Sequence, residues 1–250
     1  MLFWGVFPDR LKYAIIKPLH KNDDMCEVSN YRPVSLLTSF SKIFETVMQR
    51  RILKHLTSYN ILNSEQYGFR LGLRTDNAAY KLTTEILNAM NNKLLVGGIF
   101  CDLEEAFDCV NHDILSSKLK FYGINDKDLT LYQFYLDNRY CRTAIYNDIE
   151  DSNKVSNWAK VRRGVPQSSV LGPLLFLLYI NELPKIINKT STSIIFADDT
   201  SILFAHSNLM DLNKNIHIVF TTLNKWLRAN QLSLNSNKTN YVLREICQLT

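Results

Sequence analysis

The chain has 250 residues, 46% of them hydrophobic and 21% charged, and its 29 Lys and Arg outnumber its 24 Asp and Glu for a formal net charge of +5. That composition excludes a disordered or fibrous chain and allows one large domain or two closely joined subdomains; the mild positive excess permits a nucleic-acid partner without requiring one. Five cysteines (Cys26, Cys101, Cys109, Cys141 and Cys247) without a CxxC pair signal neither a zinc site nor a disulfide framework, and they fit a reducing intracellular compartment.

At the N-terminus, Met1–Val6 is apolar but is cut short by Pro8, Asp9 and Arg10, unlike a secretory signal. Arg10, Lys12, Lys17, His20 and Lys21 then interleave with Tyr13, Ile15, Ile16 and Leu19 in a basic, partly extended segment, which reads equally as a solvated edge strand or a functional one. From Phe40, the positions Phe40, Ile43, Phe44, Val47, Ile52 and Leu56 approximate a helical stripe expected to face the core, with Arg50, Arg51 and Lys54 elsewhere. Gln66–Arg70 is a polar loop containing Gly68, where Arg70 is either a surface arginine or a phosphate contact. Asp76 is expected to cap a helix with the stripe Ala79, Leu82, Ile86 and Met90.

Leu94–Asp102 is an apolar strand that ends in a carboxylate, and Asp102 either caps the next helix or belongs to a site. Asp113 is expected to cap a helix carrying Leu115, Leu119 and Tyr122, stopped by Gly123, and a second helix runs from Asp126 through Leu129, Tyr132 and Leu136. Arg142–Arg163 reads as two strands around the polar turn Asn147–Asn153. Lys160, Arg162 and Arg163 follow directly before Gly164-Val-Pro-Gln, placed to hold a nucleic-acid backbone through its phosphates or simply to solvate a strand end. The longest apolar run, Val170–Ile180, contains Gly172 and Pro173 and is well short of the ~20 residues that span a bilayer, so no membrane segment is expected.

Ser193–Phe204 carries two apolar runs around Asp198 and Asp199, the pattern of a hairpin with two carboxylates at its tip. Such a pair is either a solvated turn or, beside an apolar core, a pair whose repulsion needs a hard cation such as Mg²⁺. With Asp102 alongside, three carboxylates would surround one point and suit two Mg²⁺ ions about 3.5–4 Å apart, the arrangement that clamps the attacking and leaving oxygens of phosphoryl transfer. Leu209, Leu212, Ile216, Val219, Leu223 and Leu227 form a long helical stripe, and Asn235–Thr239 is a turn into a last strand at Tyr241-Val-Leu.

Six stretches in this order resemble the reverse transcriptase domain of non-LTR (LINE-type, jockey-like) retrotransposons. They are Asn30-Tyr-Arg-Pro-Val-Ser-Leu-Leu37, Gln66-Tyr-Gly-Phe-Arg70, Phe100-Cys-Asp-Leu-Glu-Glu-Ala-Phe-Asp108, Gly164-Val-Pro-Gln-Ser-Ser-Val-Leu-Gly-Pro173, Phe196-Ala-Asp-Asp199 and Asn235-Ser-Asn-Lys-Thr239. The resemblance implies an α+β fold, a right-hand polymerase-like palm and fingers whose antiparallel palm sheet is backed by helices. It places fingers at 1–95, palm at 96–125, a fingers/palm insertion at 126–163 and more palm at 164–250, with the thumb and an upstream endonuclease missing, as in a fragment of a longer polyprotein.

The implied reaction is RNA-directed DNA synthesis with an RNA template, a DNA primer, dNTPs and two Mg²⁺ ions, Mn²⁺ being an alternative. The template's being RNA comes from the resemblance alone. Asp102, Asp198 and Asp199 would bind metal, and Lys238 would protonate the leaving pyrophosphate. Arg32 would grip the triphosphate, Arg70 and Gln167 would touch nucleotide or template, and Phe107, five positions past Asp102, would pack on the sugar and block a 2′-hydroxyl. Glu104, Glu105 and Asp108 are expected to be structural or solvated. The expected compartment is the nucleus or cytoplasm.

Two departures stand out. Arg74 precedes Thr75 where the family usually has Ser, and Ser168 occupies a position where the family has Gly. A Cβ where the backbone needs positive φ or a close approach costs about 1 kcal/mol or more, so Ser168 is expected to slow the enzyme or narrow its template channel. A retroelement remnant that only binds nucleic acid or protein is the alternative. A metal nuclease is disfavoured because it would need neither the Gly-Val-Pro-Gln loop nor Phe107.

Overall fold

The computed structural model describes residues 5–21, 24–147 and 152–244. Cys247, most of the apolar N-terminal stretch and the middle of the Asn147–Asn153 turn lie outside the described residues. In chain order the elements are β1 (Tyr13–His20), β2 (Tyr31–Leu36), α1 (Ser39–Ser58), α2 (Thr75–Asn91), β3 (Leu95–Cys101), α3 (His112–Phe121), α4 (Asp126–Leu136), β4 (Arg139–Asn147), β5 (Ser152–Val155), β6 (Ala159–Val161), α5 (Gly172–Ile180), α6 (Leu183–Ile187), β7 (Thr192–Phe196), β8 (Asp199–His206), α7 (Leu209–Ala229) and β9 (Asn240–Arg244). Among the described residues no helix is long and apolar enough to cross a membrane. The chain forms two units, Met1–Ile61 with Phe107–Leu178 and Leu62–Ala106 with Tyr179–Thr250. The fingers and palm boundaries expected from the resemblance cut across both.

In the first unit the strand order is β2-β1-β4-β5, with β6 also pairing β4. β1 pairs antiparallel with β2 and parallel with β4, so it is an interior strand and not the solvated edge that was one of its two readings. Along it Ala14 turns into the core while Tyr13 and Lys17 turn out.

Helix α1 begins where Thr38 Oγ1 accepts the Ser41 N–H; Ile52 and Leu56 of the expected stripe are buried, but the first half of the helix buries another face. Phe40, Ile43 and Val47 are exposed, and the inward positions are Ser41, Glu45, Met48, Ile52 and Leu56. The cause is a buried carboxylate. Glu45 accepts hydrogen bonds from the backbone N–H groups of Val170 (2.7 Å) and Leu171 (3.3 Å), just ahead of α5, and from the Ser41 hydroxyl (3.0 Å). These bonds turn the helix away from the face that apolarity alone selects.

Two helix starts also move. Asn111, and not Asp113, caps α3 by accepting from the Asp113 and Ile114 N–H groups, and Gly123 follows the helix at φ +83. Asp76 lies inside α2, whose entry is closed by the Asn77 side chain accepting the Arg74 N–H at 2.8 Å. Its first inward residue is Ala78 rather than Ala79.

The second unit is an antiparallel sheet in the order β7-β8-β3-β9. Helix α2 packs on the face carrying Ile194 and Leu203, through Ala78, Leu82 and Ile86. Helix α7 meets the opposite face, where Leu212 and Ile216 approach Gly97, and buries Leu212, Val219, Leu223, Trp226 and Leu227. This is the expected α+β arrangement, a sheet backed by helices.

The Glu45 anchor can be tested by chemical denaturation. Glu45→Ala strands buried N–H groups and should cost about 3–5 kcal/mol. Phe40→Ser, which the apolar stripe would make the damaging change, should stay within about 0.5 kcal/mol.

Candidate active site

In the second unit, β3 and β8 run antiparallel with Cys101 opposite Thr200, and β7 pairs with β8 as far as Phe196 opposite Asp199. This register brings the residue after β3, Asp102, and the hairpin pair Asp198 and Asp199 to the same edge of the sheet. Apolar strands set the positions: Ile99, Cys101, Ile195 and Ile202 are buried, so the strands cannot slip without turning their core faces outward.

Lys238 joins this edge through the turn before β9. The Asp102 carbonyl accepts the Asn235 N–H at 2.9 Å, and the Asn235 carbonyl accepts the N–H groups of Lys238 (3.2 Å) and Thr239 (2.9 Å). Lys238 Nζ then lies 3.8 Å from Asp102 Oδ2, with the lysine side chain 66% exposed.

The neighbouring charges are felt at Asp199. Burial first, then the Asp198 and Asp102 carboxylates, hold the Asp199 carboxyl above its ordinary value, and Lys238 pulls against them. The neighbouring Cys101 is buried and its thiol is pushed up to about 12, which leaves it inert as a nucleophile.

The hard oxygens of Asp102, Asp198 and Asp199 suit a divalent ion such as Mg²⁺, and their repulsion is what such an ion would relieve. Yet among the described residues no group of three or more His, Cys, Asp or Glu side chains stands close enough to hold a metal ion. The carboxylates therefore share an edge without closing into the three-carboxylate cage expected from the sequence.

A part of this site escaped the sequence reading. The first turn residue of the hairpin, Ala197, is left-handed at φ +58. Gln66, buried in the loop before α2, holds it. Its Oε1 accepts the N–H groups of Ala197 (3.0 Å) and Gly68 (2.7 Å), and its Nε2 donates to the Ala197 carbonyl (3.3 Å). The same loop extends the sheet edge, with Tyr67 N–H donating to Ile195 O and Ile195 N–H donating to Glu65 O, both at 2.8 Å. Gly68 lies so close that a Cβ there would meet the Ala197 nitrogen at 2.2 Å. The glycine in the Gln66–Arg70 stretch was the available signal. Arg70 turns its Nη1 to the carbonyls of Asn63 (2.7 Å) and Gln66 (3.3 Å), so its first observed task is to brace this loop.

The remaining candidates lie in the first unit. Phe107 stacks on Phe176 with ring centroids 4.7 Å apart, and its carbonyl accepts the Val165 N–H. Gln167 Nε2 donates to Asp108 Oδ2 at 2.6 Å, which gives Asp108 a defined structural task, and the Gln167 carbonyl accepts the Ser35 N–H at 3.0 Å. Gly164, at φ +89, passes so close to Asp108 that a Cβ would lie 2.9 Å from its backbone. Ser168 has φ +72, the left-handed conformation that a glycine adopts without strain, and its side chain is exposed. Arg32 is exposed on β2 opposite Leu19, and Arg162 and Arg163 are exposed after β6. Lys160 Nζ donates to Asn138 Oδ1 at 2.7 Å and lies 3.9 Å from Asp137.

A family model described as reverse transcriptase (RNA-dependent DNA polymerase) matches residues 19–248. The probable RNA-directed DNA polymerase from transposon BS of Drosophila melanogaster is 32% identical over 246 residues, 93% of this chain and 26% of that protein. The RNA-directed DNA polymerase from mobile element jockey of the same species is 29% identical over 241 residues, 94% of this chain and 26% of that protein. The chain thus spans about a quarter of the length of these curated relatives. Among solved structures, an apo telomerase from Candida tropicalis truncated from its C-terminal domain superposes with a TM-score of 0.67 at 14% identity, covering 97% of this chain and 52% of that one. Telomerase from Candida albicans in complex with a TWJ fragment of telomeric RNA gives 0.65 at 11% identity, covering 98% and 43%. At these identities the likeness shows the fold.

Two stability measurements test the site's construction. Gly68→Ala forces backbone against backbone and should cost about 3 kcal/mol or more by thermal or chemical denaturation. Asp199→Asn should do the opposite. Because the folded state raises the Asp199 pKa, its ionised form opposes folding at neutral pH. The amide should therefore add ~0.2–1 kcal/mol at pH 7, the scale of an exposed charge interaction. That gain should vanish as the pH falls through the carboxylate range, where Asp199 is itself neutral.

Proposed function

The chain belongs to the reverse transcriptase (RNA-dependent DNA polymerase) family, and from that premise we propose that it is the catalytic core of a retrotransposon's RNA-directed DNA polymerase, extending a DNA primer on an RNA template. The observation that carries this reading is the gathering of Asp102, Asp198, Asp199 and Lys238 at one sheet edge, with Asp199 sensing the other three charges. Isolated solvated turns have no reason to converge in this way.

In the proposed reaction the primer 3′-oxygen bonds to the α-phosphorus of a dNTP, the bond to pyrophosphate breaks, and the 3′-hydroxyl proton leaves to solvent. Two divalent ions, Mg²⁺ or Mn²⁺, held by Asp102, Asp198 and Asp199 would supply neutralisation of the attacking and leaving oxygens. Lys238, an exposed ammonium tethered by the Asn235 turn, is placed to give a proton to the departing pyrophosphate. Arg32 and Arg70 would bind triphosphate oxygens through their planar forks. Phe107, braced by Phe176, would meet the sugar. Gln167, fixed by Asp108, and Ser168 would face the base pair or template, while Lys160, Arg162 and Arg163 would position the phosphate backbone without reading sequence. In this reading the fingers and palm assignments, 1–95, 96–125, 126–163 and 164–250, describe functional regions rather than the two packing units.

The second reading, a weak or inactive remnant that only binds nucleic acid or protein, draws on one feature. Ser168 holds a left-handed backbone at φ +72, a conformation that costs a residue with a Cβ roughly 1–2 kcal/mol.

Primer extension on an RNA template with Mg²⁺ separates the two. The polymerase reading expects extension that Asp198→Asn abolishes and that Lys238→Ala slows by about 10²-fold or more, the low end of general-acid contributions. Tight primer–template binding with no extension by the unaltered chain would leave only the remnant.

A further inference from the structure

Helix α7 in the second unit has two working faces. One is buried through Leu212, Val219, Leu223, Trp226 and Leu227. Beside it Ile216, His217, Phe220, Asn224 and Arg228 recur at three- and four-residue spacing and line one wall of a groove of about 980 Å³. The facing wall comes from β9, the last strand in the sheet order, and from the turn before it. Tyr241 stands opposite Ile99 in register, so both rise from one sheet face, and Leu234 joins them.

The groove has an apolar floor and a basic rim. Ile99 is buried at its base, whereas Phe220 is 38% exposed and Tyr241 52% exposed, so two large rings stand open to water within a concavity. Open apolar area of that shape is the mark of a binding surface. The basic lining is His217, Lys225 and Arg228, and among the described residues no carboxylate lines the groove. The sequence around it is equally one-sided: between Asp211 and Glu245 there is no acidic residue. Among the described residues no carboxylate pairs with Lys225 or Arg228.

We propose that this groove docks a protein partner through an amphipathic helix whose apolar stripe is flanked by Asp or Glu. The wall from Asn213 to Arg228 runs about 22 Å at 1.5 Å per residue, room for a helix of about four turns. Apolar anchors one turn apart on such a helix would pack on Phe220 and Tyr241, as helices do in apolar grooves elsewhere. Lys225 and Arg228 lie together toward the end of α7, so they would fix the direction of the partner by meeting its acidic end. Nucleic acid would satisfy the basic rim but would gain nothing from the aliphatic floor of Ile99, Ile216 and Leu234. None of the residues given a part in polymerisation lines the groove, so the proposal stands apart from that reading.

The test is fluorescence anisotropy of the full chain with a labelled synthetic peptide of about 18 residues, long enough to form a helix, carrying Leu on one face and Glu on the others. Phe220→Ala and Tyr241→Ala trim exposed rings, so both variants should melt near the unaltered chain. Each should bind the Glu helix about 5-fold more weakly or worse, the loss expected of an anchoring side chain. Arg228→Glu should weaken the Glu helix about tenfold, and a helix with the same Leu pattern but Lys in place of Glu should prefer Arg228→Glu to the unaltered chain. Phe40→Ser, in the first unit, should leave binding unchanged. No binding, equal affinity in both ring variants, no reversal of charge preference, or displacement of the helix by single-stranded RNA would each overturn the proposal. Intact primer extension beside any of those results would leave the polymerase reading untouched.

Discussion

The antiparallel ladder of β3, β8 and β7 is the constraint on which the second unit's site depends, because it holds mutually repelling carboxylates at one sheet edge. Asp102, Asp198 and Asp199 come from segments nearly one hundred residues apart, and nothing in their own chemistry favours the meeting. The backbone ladder between β3, β8 and β7 and the buried apolar faces of those strands impose it. The Asp199 carboxyl, raised first by burial and then by the Asp198 and Asp102 carboxylates, records part of that cost. Sites that strain a fold for the sake of chemistry are the usual exception to otherwise consistent packing.

The hairpin tip draws on support from outside its own strands. Ala197 occupies a left-handed conformation in a turn followed by two carboxylates, an arrangement that local sequence preference would not hold unaided. Gln66 supplies the restraint by engaging both the N–H and the carbonyl of Ala197 from a buried position. Arg70 in turn braces the Gln66 loop. The loop therefore braces the tip, which is how a turn can be held to geometry that its own residues would relax. In the first unit Glu45 performs a comparable service, holding the peptide groups that lead into α5.

The features legible in the sequence were those written in local pattern. Apolar β-branched runs flanking Asp198-Asp199 gave a hairpin, and it is one. The run ending at Asp102 gave a strand, and β3 ends one residue before it. The stripes of α4 and α7 also emerge in place, though Leu209 stays partly exposed at the start of α7. What failed was whatever depended on a distant partner. Apolar periodicity put Phe40, Ile43 and Val47 inside α1, because no local rule reveals that Glu45 will meet N–H groups from residues 170 and 171. Caps were misplaced where neighbours competed: Asn111 stands two residues before Asp113, and Asn77 one after Asp76, and short polar side chains are nearly interchangeable as caps. Gln66 could not be identified because its target lies 131 residues away. The meeting of the acidic residues is already legible in the strand that ends at Asp102 and the hairpin that carries Asp198 and Asp199, and what the family resemblance adds is Lys238, which no local pattern singles out.

The central proposal is that Asp102, Asp198 and Asp199, which share the sheet edge without closing into a cage by themselves, close on a divalent metal there. Crystals of the chain soaked in Mn²⁺ and measured for anomalous scattering test it directly. The expected result is manganese density within bonding reach of all three carboxylates. Absence of manganese density from that edge would contradict the account.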